Sequence, residues 1–145
     1  MNGPSIKSII EVKKESKDIK TFLFKCPEKI IPGQIFMIWI PGVDEGPMSV
    51  SAFHPDTNEA TITVEKVGEA TRTLHRMNIG QTIGVRGPLG NSYGTSKAQN
   101  VMIIGGGTGL ASLAPLTERL VEQGAKATLL MGAKTRRDLL FLDRM

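Results

Sequence analysis

The chain has one cysteine and two histidines in 145 residues. A single thiol, Cys26, excludes an internal disulfide framework and any metal site made from this chain's cysteines alone. His54 and His75 have no cysteine or carboxylate partners at ligand spacing, so they read as surface or packing residues rather than metal ligands. Aromatics are few, five Phe with one Trp and one Tyr, and the net charge is only +4. Nucleic-acid binding calls for a basic stripe interleaved with aromatics, and none is present. No stretch approaches the ~20 apolar residues of a membrane span; the run Ile35–Ile40 stops at Pro41-Gly42. The start, Met1 to Lys7, lacks the apolar core of a secretory leader, so the expected location is cytoplasmic. Ser49 and Ser51 lack a Gly-x-Ser-x-Gly elbow, which argues against a hydrolase. Cys26, just before Pro27, reads as structural.

Glycine, in contrast, is plentiful and clustered. The stretch Val101-Met-Ile-Ile-Gly-Gly-Gly-Thr-Gly-Leu-Ala-Ser-Leu-Ala-Pro115 runs from an apolar strand into glycines and then into helical spacing. This predicts a buried parallel strand, a tight turn and a helix N-terminus. Glycine admits positive φ and close approach of a ligand; free amides and the helix dipole favour a phosphate. Gly105, Gly106, Gly107, Thr108 and Gly109 are therefore candidate nucleotide contacts. The dinucleotide fingerprint wants a third spaced glycine where Leu110 stands, so a ligand-free strand-to-helix turn is the alternative.

The remainder divides in two. Residues 1–98 read as about six short strands forming a small antiparallel barrel. These are Ile6–Val12, Ile19–Lys25, Ile35–Ile40, Met48–Phe53, Ala60–Val67 and Gln81–Arg86, with a short helix from about Thr71 to Met77. Gly-Pro and Pro-Gly pairs, Gly46-Pro47 among them, read as turns between strands. Residues 99–145 read as one βαβ unit: strand Val101–Ile104, a helix to about Gln123 capped by Gly124, and strand Ala127–Met131. The end, Leu139 to Met145, reads as the start of another helix. Two parallel strands cannot close a nucleotide crevice, so the α/β domain reads as incomplete, or as completed by another polypeptide.

Three further segments accompany the glycine turn: Gly46-Pro47-Met48-Ser49, Lys66 to Leu74, and Gly87-Pro88-Leu89-Gly90. In this order they resemble the ferredoxin–NADP reductase superfamily, and within it the electron-transfer subunits of dihydroorotate dehydrogenase. The resemblance implies an FAD-binding barrel followed by an NAD(P)-binding domain. It maps the family's Arg-Pro-x-Ser segment, which lies along FAD, onto Gly46, Pro47, Met48 and Ser49, with glycine in place of arginine. It maps Gly-Thr-x-x-Leu onto Ala70-Thr71-Arg72-Thr73-Leu74, whose amides would face the FAD pyrophosphate. Thr71 is a plausible N-cap on either reading, and Arg72 is placed to stand in for the missing arginine. Thr63, Val64 and Glu65 match the strand flanking the isoalloxazine ring. Gly132-Ala133-Lys134-Thr135-Arg136-Arg137-Asp138 resembles the family's Gly-x-Arg-x-x-x-Asp, with lysine for arginine.

The resemblance implies flavin-dependent electron transfer from NAD(P)H, with no side chain doing acid–base work. The partner it implies is the catalytic dihydroorotate dehydrogenase subunit of pyrimidine synthesis. An iron–sulfur cluster belongs to the family, but its cysteines are absent here. The alternative is a non-catalytic FAD-binding or interaction module of the same descent. Leu139, Leu140, Phe141 and Leu142 are expected to be exposed and to drive self-association or partner binding, and the chain alone is not expected to oxidise NADH rapidly.

Overall fold

The computed structural model describes residues 3–94 and 97–145. In place of one strand over Ile6–Val12 there are two, β1 (Ser5–Ser8) and β2 (Glu11–Lys14). They are followed by β3 (Ile19–Lys25), β4 (Ile35–Ile40), β5 (Asp44–His54), β6 (Glu59–Glu65), α1 (Glu69–Arg76) and β7 (Thr82–Leu89). The strands form one antiparallel sheet in the order β1-β7-β4-β5-β6-β3-β2, seven strands where six were expected. The extra strand arises because β1 pairs with β7 while β2 pairs with β3, at opposite ends of that order. Only Ile9 and Ile10 separate them. The Ile9 N–H donates to Gln81 O at 2.9 Å and the Ile10 N–H to Leu23 O at 2.8 Å. The chain thus crosses from one edge of the sheet to the other, and the sheet curls into a barrel. Strand alternation fills it: Phe22, Phe24, Phe36, Ile38, Ile62 and Ile83 are fully buried, and Phe24 meets Phe36 edge-on at 5.4 Å.

Gly46-Pro47, expected as a turn, lies inside the eleven-residue β5. Residues Asp44–Ser49 pair with β4, and Val50 and Ala52–His54 pair with β6, with a register shift between Val50 and Ala52. A proline is tolerated there because that part of β5 has a strand on one side only. Helix α1 begins two residues before the expected Thr71. Gly68 is its N-cap and Thr71 its third residue. The Thr71 hydroxyl accepts from Gly68 N–H at 2.9 Å and Val67 N–H at 3.0 Å, a reversed capping contact.

Beyond the barrel come β8 (Asn100–Gly106), a 3₁₀ turn at Gly107–Gly109, α2 (Leu110–Glu122) and β9 (Lys126–Gly132). β8 and β9 are parallel, from Asn100 opposite Lys126 to Gly106 opposite Gly132. Gly124 ends α2 at φ +89°, with its N–H on Val121 O and that of Ala125 on Leu120 O, the left-handed cap its sequence predicts. Ile103, Leu116, Leu120 and Ala125 form the small core of this unit. Its outer sheet face leaves Met102, Ile104 and Leu130 exposed.

The C-terminal helix expected after β9 is not formed. A 3₁₀ turn at Arg136–Asp138 leads into further turns, with Phe141 at φ +60°. The four apolar residues are consecutive rather than spaced for a helix face, and tertiary packing decides their fate. Leu140 is buried against Ile19 and Leu110, Phe141 packs beside them, and Leu142 is exposed. They are therefore not the exposed set expected. Arg144 secures the segment. Its Nε and Nη2 donate to Glu118 Oε1 and Oε2 at 2.5 and 2.7 Å, and its Nη1 to Ser51 O at 2.8 Å. Leu140→Ala should cost roughly 2–5 kcal/mol in equilibrium urea unfolding, whereas Leu142→Ala should stay within about 0.5 kcal/mol.

Candidate functional site

Two of the segments singled out in the sequence, Gly46–Ser49 and Thr63–Glu65, flank the place where β5 changes neighbours. Up to Ser49 it has only β4 beside it; from Val50 it has β6. β6 continues past the last shared pair, Val50 with Ile62, and Thr63 to Glu65 pair only with β3. Two strand edges, Gly46–Ser49 and Thr63–Glu65, therefore splay apart, and α1 fills the gap. Leu74 of α1 is fully buried in the barrel core. His75 Nε2 lies 2.7 Å from Val64 O, and Lys20 Nζ donates to His75 O at 2.8 Å. The last turn of α1 is thereby fixed to β6, β3 and the barrel core.

The candidate side chains differ in what they can offer. Pro47, Glu65 and Arg72 are exposed and Ser49 is half-buried. Met48 and Ala70 pack against the barrel core, and Val64 is part of it. Those three have only backbone to give. Thr71 spends its hydroxyl on the helix cap, so the amides open to an anion are those of Glu69, Ala70 and Thr71 itself. Arg72 Nη1 donates to Val67 O at 3.3 Å, which holds its cation at the helix start. A Cβ at Gly46 or Gly68 would meet nothing within 4 Å, so both positions are open. These features suit a long, thin anionic cofactor such as FAD, apart from the missing arginine at 46. Beside that gap, Arg86 grips Glu45 through Nε–Oε1 at 2.7 Å and Nη2–Oε2 at 2.6 Å. That hydrogen-bonded guanidinium holds the Glu45 carboxyl below its ordinary pKa.

The glycine turn lies against β6, the strand that carries Thr63–Glu65. Its glycines have different reasons. A Cβ at Gly105 would come within 2.8 Å of both Leu110 Cδ2 and Leu113 Cδ1, so this glycine lets α2 pack on β8. Gly107 is at φ +53°, and neither it nor Gly109 has a neighbour within 4 Å of a built Cβ. Those two leave room for a ligand. Thr108 is half-buried between them.

A row of hydroxyls escaped the sequence reading. Thr21 Oγ1 lies 2.7 Å from Glu15 Oε1 and 2.8 Å from Thr63 Oγ1. Thr63 Oγ1 is 2.9 Å from Ser51 Oγ, which is 2.8 Å from Thr61 Oγ1. The row lies outside the barrel core, where a cleft of about 830 Å³ opens between β2, β3, β5 and β6 and the C-terminal segment. The alternation of Thr61 and Thr63 was the available signal. Elsewhere, burial and the nearby Glu28 push the Cys26 thiol up to about 12, which leaves it inert as a nucleophile. Among the described residues, no three His, Cys, Asp or Glu side chains could share a metal ion, and no helix is long and apolar enough to cross a membrane.

No protein-family model matches the chain. Its sequence is 37% identical to a probable dihydroorotate dehydrogenase B (NAD(+)) electron transfer subunit of Methanothermobacter thermautotrophicus, covering 100% of this chain and 54% of that protein. The subunit of the same name from Methanocaldococcus jannaschii is 38% identical, with 99% and 53% covered. Sulfhydrogenase 2 subunit gamma of Pyrococcus furiosus is 32% identical, with 94% and 51% covered. A solved NADH-dependent reduced ferredoxin-NADP oxidoreductase superposes at a TM-score of 0.85 and 31% identity, covering 99% of this chain and 54% of that one. Phthalate dioxygenase reductase, at TM-score 0.87 and 15% identity with 97% and 47% covered, shares the fold. The resemblance drawn from the motifs holds, and the antiparallel barrel with a small α/β part is of the ferredoxin-reductase type. The chain spans about half the length of the curated relatives it matches.

Two outcomes follow from the site's geometry. Gly105→Ala should destabilise by roughly 1–3 kcal/mol through overpacking, while Gly109→Ala should change stability far less; thermal melts compare them. Burial lowers the His75 pKa below its ordinary value of 6.5. The unfolded chain therefore takes up this proton first, so stability is full above about pH 6.5 and declines as pH falls through the folded pKa. Urea midpoints from about pH 7.5 down to 5.5 should show this slope, and His75→Gln should lose it.

Proposed function

We propose that this chain, similar along its whole length to electron transfer subunits of dihydroorotate dehydrogenase B, is a flavin-dependent electron-transfer protein of the cytoplasm. On this reading residues 1–98 bind FAD across the end of the barrel. Residues 99–145 offer their βαβ unit to a reduced nicotinamide dinucleotide, and electrons leave toward a catalytic dehydrogenase subunit serving pyrimidine synthesis. The observation that supports it is the pair of strand edges left free where β5 changes partners, with α1 against β5 and the glycine turn against β6.

Each segment then has a physical task. The amides of Glu69, Ala70 and Thr71, at the positive end of α1, hold the pyrophosphate. Arg72 adds a cation beside it. The backbone of Pro47–Ser49 and Thr63–Glu65, with the Ser49 hydroxyl, flanks the ring. Gly107–Gly109 leave room for a second pyrophosphate. FAD, when bound, supplies the hydride-accepting and single-electron chemistry; the chain binds and orients. Gly46 favours a second reading, a non-catalytic module of the same descent that binds flavin weakly or not at all.

Titration with FAD, followed by flavin absorbance and fluorescence, separates the two. We expect saturable binding, weakened by roughly 1–3 kcal/mol in Arg72→Ala, the cost of a charged hydrogen bond. Gly46→Arg, for which the structure has room, should tighten it. Absence of saturation at micromolar FAD would leave only the second reading. Unchanged affinity in Arg72→Ala would make Arg72 a surface charge.

A further inference from the structure

We infer that His75 is a positioning residue for the cofactor cradle: its ring ties the last turn of α1 to the Val64 carbonyl of β6, and so sets the spacing between the helix start and the two strand edges. The inference rests on the functional reading above.

The last β5–β6 pair is Val50 with Ile62. Two residues on, Val64 pairs only with Lys20 of β3, and its carbonyl, turned toward β3, also meets the His75 ring at 2.7 Å. As the donor to a carbonyl, His75 carries its hydrogen on Nε2. The ring is 8% exposed and stands edge-on to Phe22 at 6.0 Å, so it has little freedom to leave. From β3, Lys20 Nζ holds the His75 carbonyl at 2.8 Å, and the neighbouring Leu74 is fully buried. The last turn of α1 is therefore fixed to β6, β3 and the barrel core at once.

A short helix moves as one body. Six residues of helical rise, about 9 Å, separate His75 from Glu69, so fixing one end of α1 fixes the other. The candidate phosphate amides lie at the far end, and the candidate ring-flanking residues include Val64 itself. His75 thus joins the two halves of the site, and of the candidate ligand groups it touches only the Val64 carbonyl. Its loss should leave each half usable and spoil their spacing.

The test compares FAD with its two parts, FMN and ADP, on the purified full chain. Linking two fragments gains affinity only if both half-sites are correctly spaced. His75→Leu keeps bulk and removes the donor; His75→Gln keeps an N–H. We expect His75→Leu to weaken FAD at least tenfold while FMN and ADP change less than twofold, and His75→Gln to recover most of the loss. Equal losses for all three ligands, unchanged FAD affinity, or no recovery with His75→Gln would overturn the inference. Should His75→Leu not fold, His75→Asn, whose shorter amide falls short of Val64 O, replaces it against His75→Gln. If the wild-type chain binds none of the three, the functional reading fails, and hydrogen exchange decides the positioning role alone. Faster exchange at the amides of residues 68–72 in His75→Leu, restored in His75→Gln, upholds it; unchanged exchange overturns it.

Discussion

A strand that changes neighbours must leave an edge behind. β5 pairs with β4 over its first half and with β6 over its second, and most of what is distinctive here follows from that exchange. The barrel opens where the two pairings part. Backbone groups at an opening must find partners or water, and α1 is anchored beside it through His75 and the Val64 carbonyl. Gly46–Ser49 and Thr63–Glu65 are each left there with a strand on one side only.

The α/β unit is attached to the barrel chiefly by α2 lying against β5, with varied contacts around it. Leu110 and Leu140 meet Ile19 in a small apolar cluster, and Arg144 ties α2 to β5 through Glu118 and the Ser51 carbonyl. The arginine also sits 5.1 Å from the centre of the Phe141 ring, a cation–π contact. The Arg144–Glu118 pair is partly exposed and on its own would count for little. Its weight lies in geometry, since it closes a ring of contacts joining a helix, a strand and the C-terminal segment.

How much of this the sequence disclosed depended on whether the signal was local. β3 and β4 were read residue for residue because Phe22/Phe24 and Phe36/Ile38/Ile40 alternate cleanly. The βαβ unit was legible because glycines bracket α2 at both ends. The break at Ile9 was not, because each half of that stretch answers to a different strand far along the chain. Gly46-Pro47 looked like a turn because its chemistry is turn-like; its one-sided neighbourhood is a tertiary fact. The C-terminal run was apolar enough to suggest a helix, but its burial against Ile19 and Leu110 needed the barrel in place. The site segments were recognised by order and resemblance. Which of their side chains point inward, as Met48 and Ala70 do, and what His75 does, came only from the fold.

The hydroxyl row beneath the C-terminal segment has a property that distances alone do not convey. A hydroxyl has one hydrogen to give. Thr21 gives its hydrogen to Glu15 and Thr63 gives its own to Ser51, so neither has a second to spare. Ser51 and Thr61 share the next contact in one sense or the other. The four hydroxyls on β3, β5 and β6 are therefore tied to one another across three strands, and removing any one of them strips a partner from its neighbour.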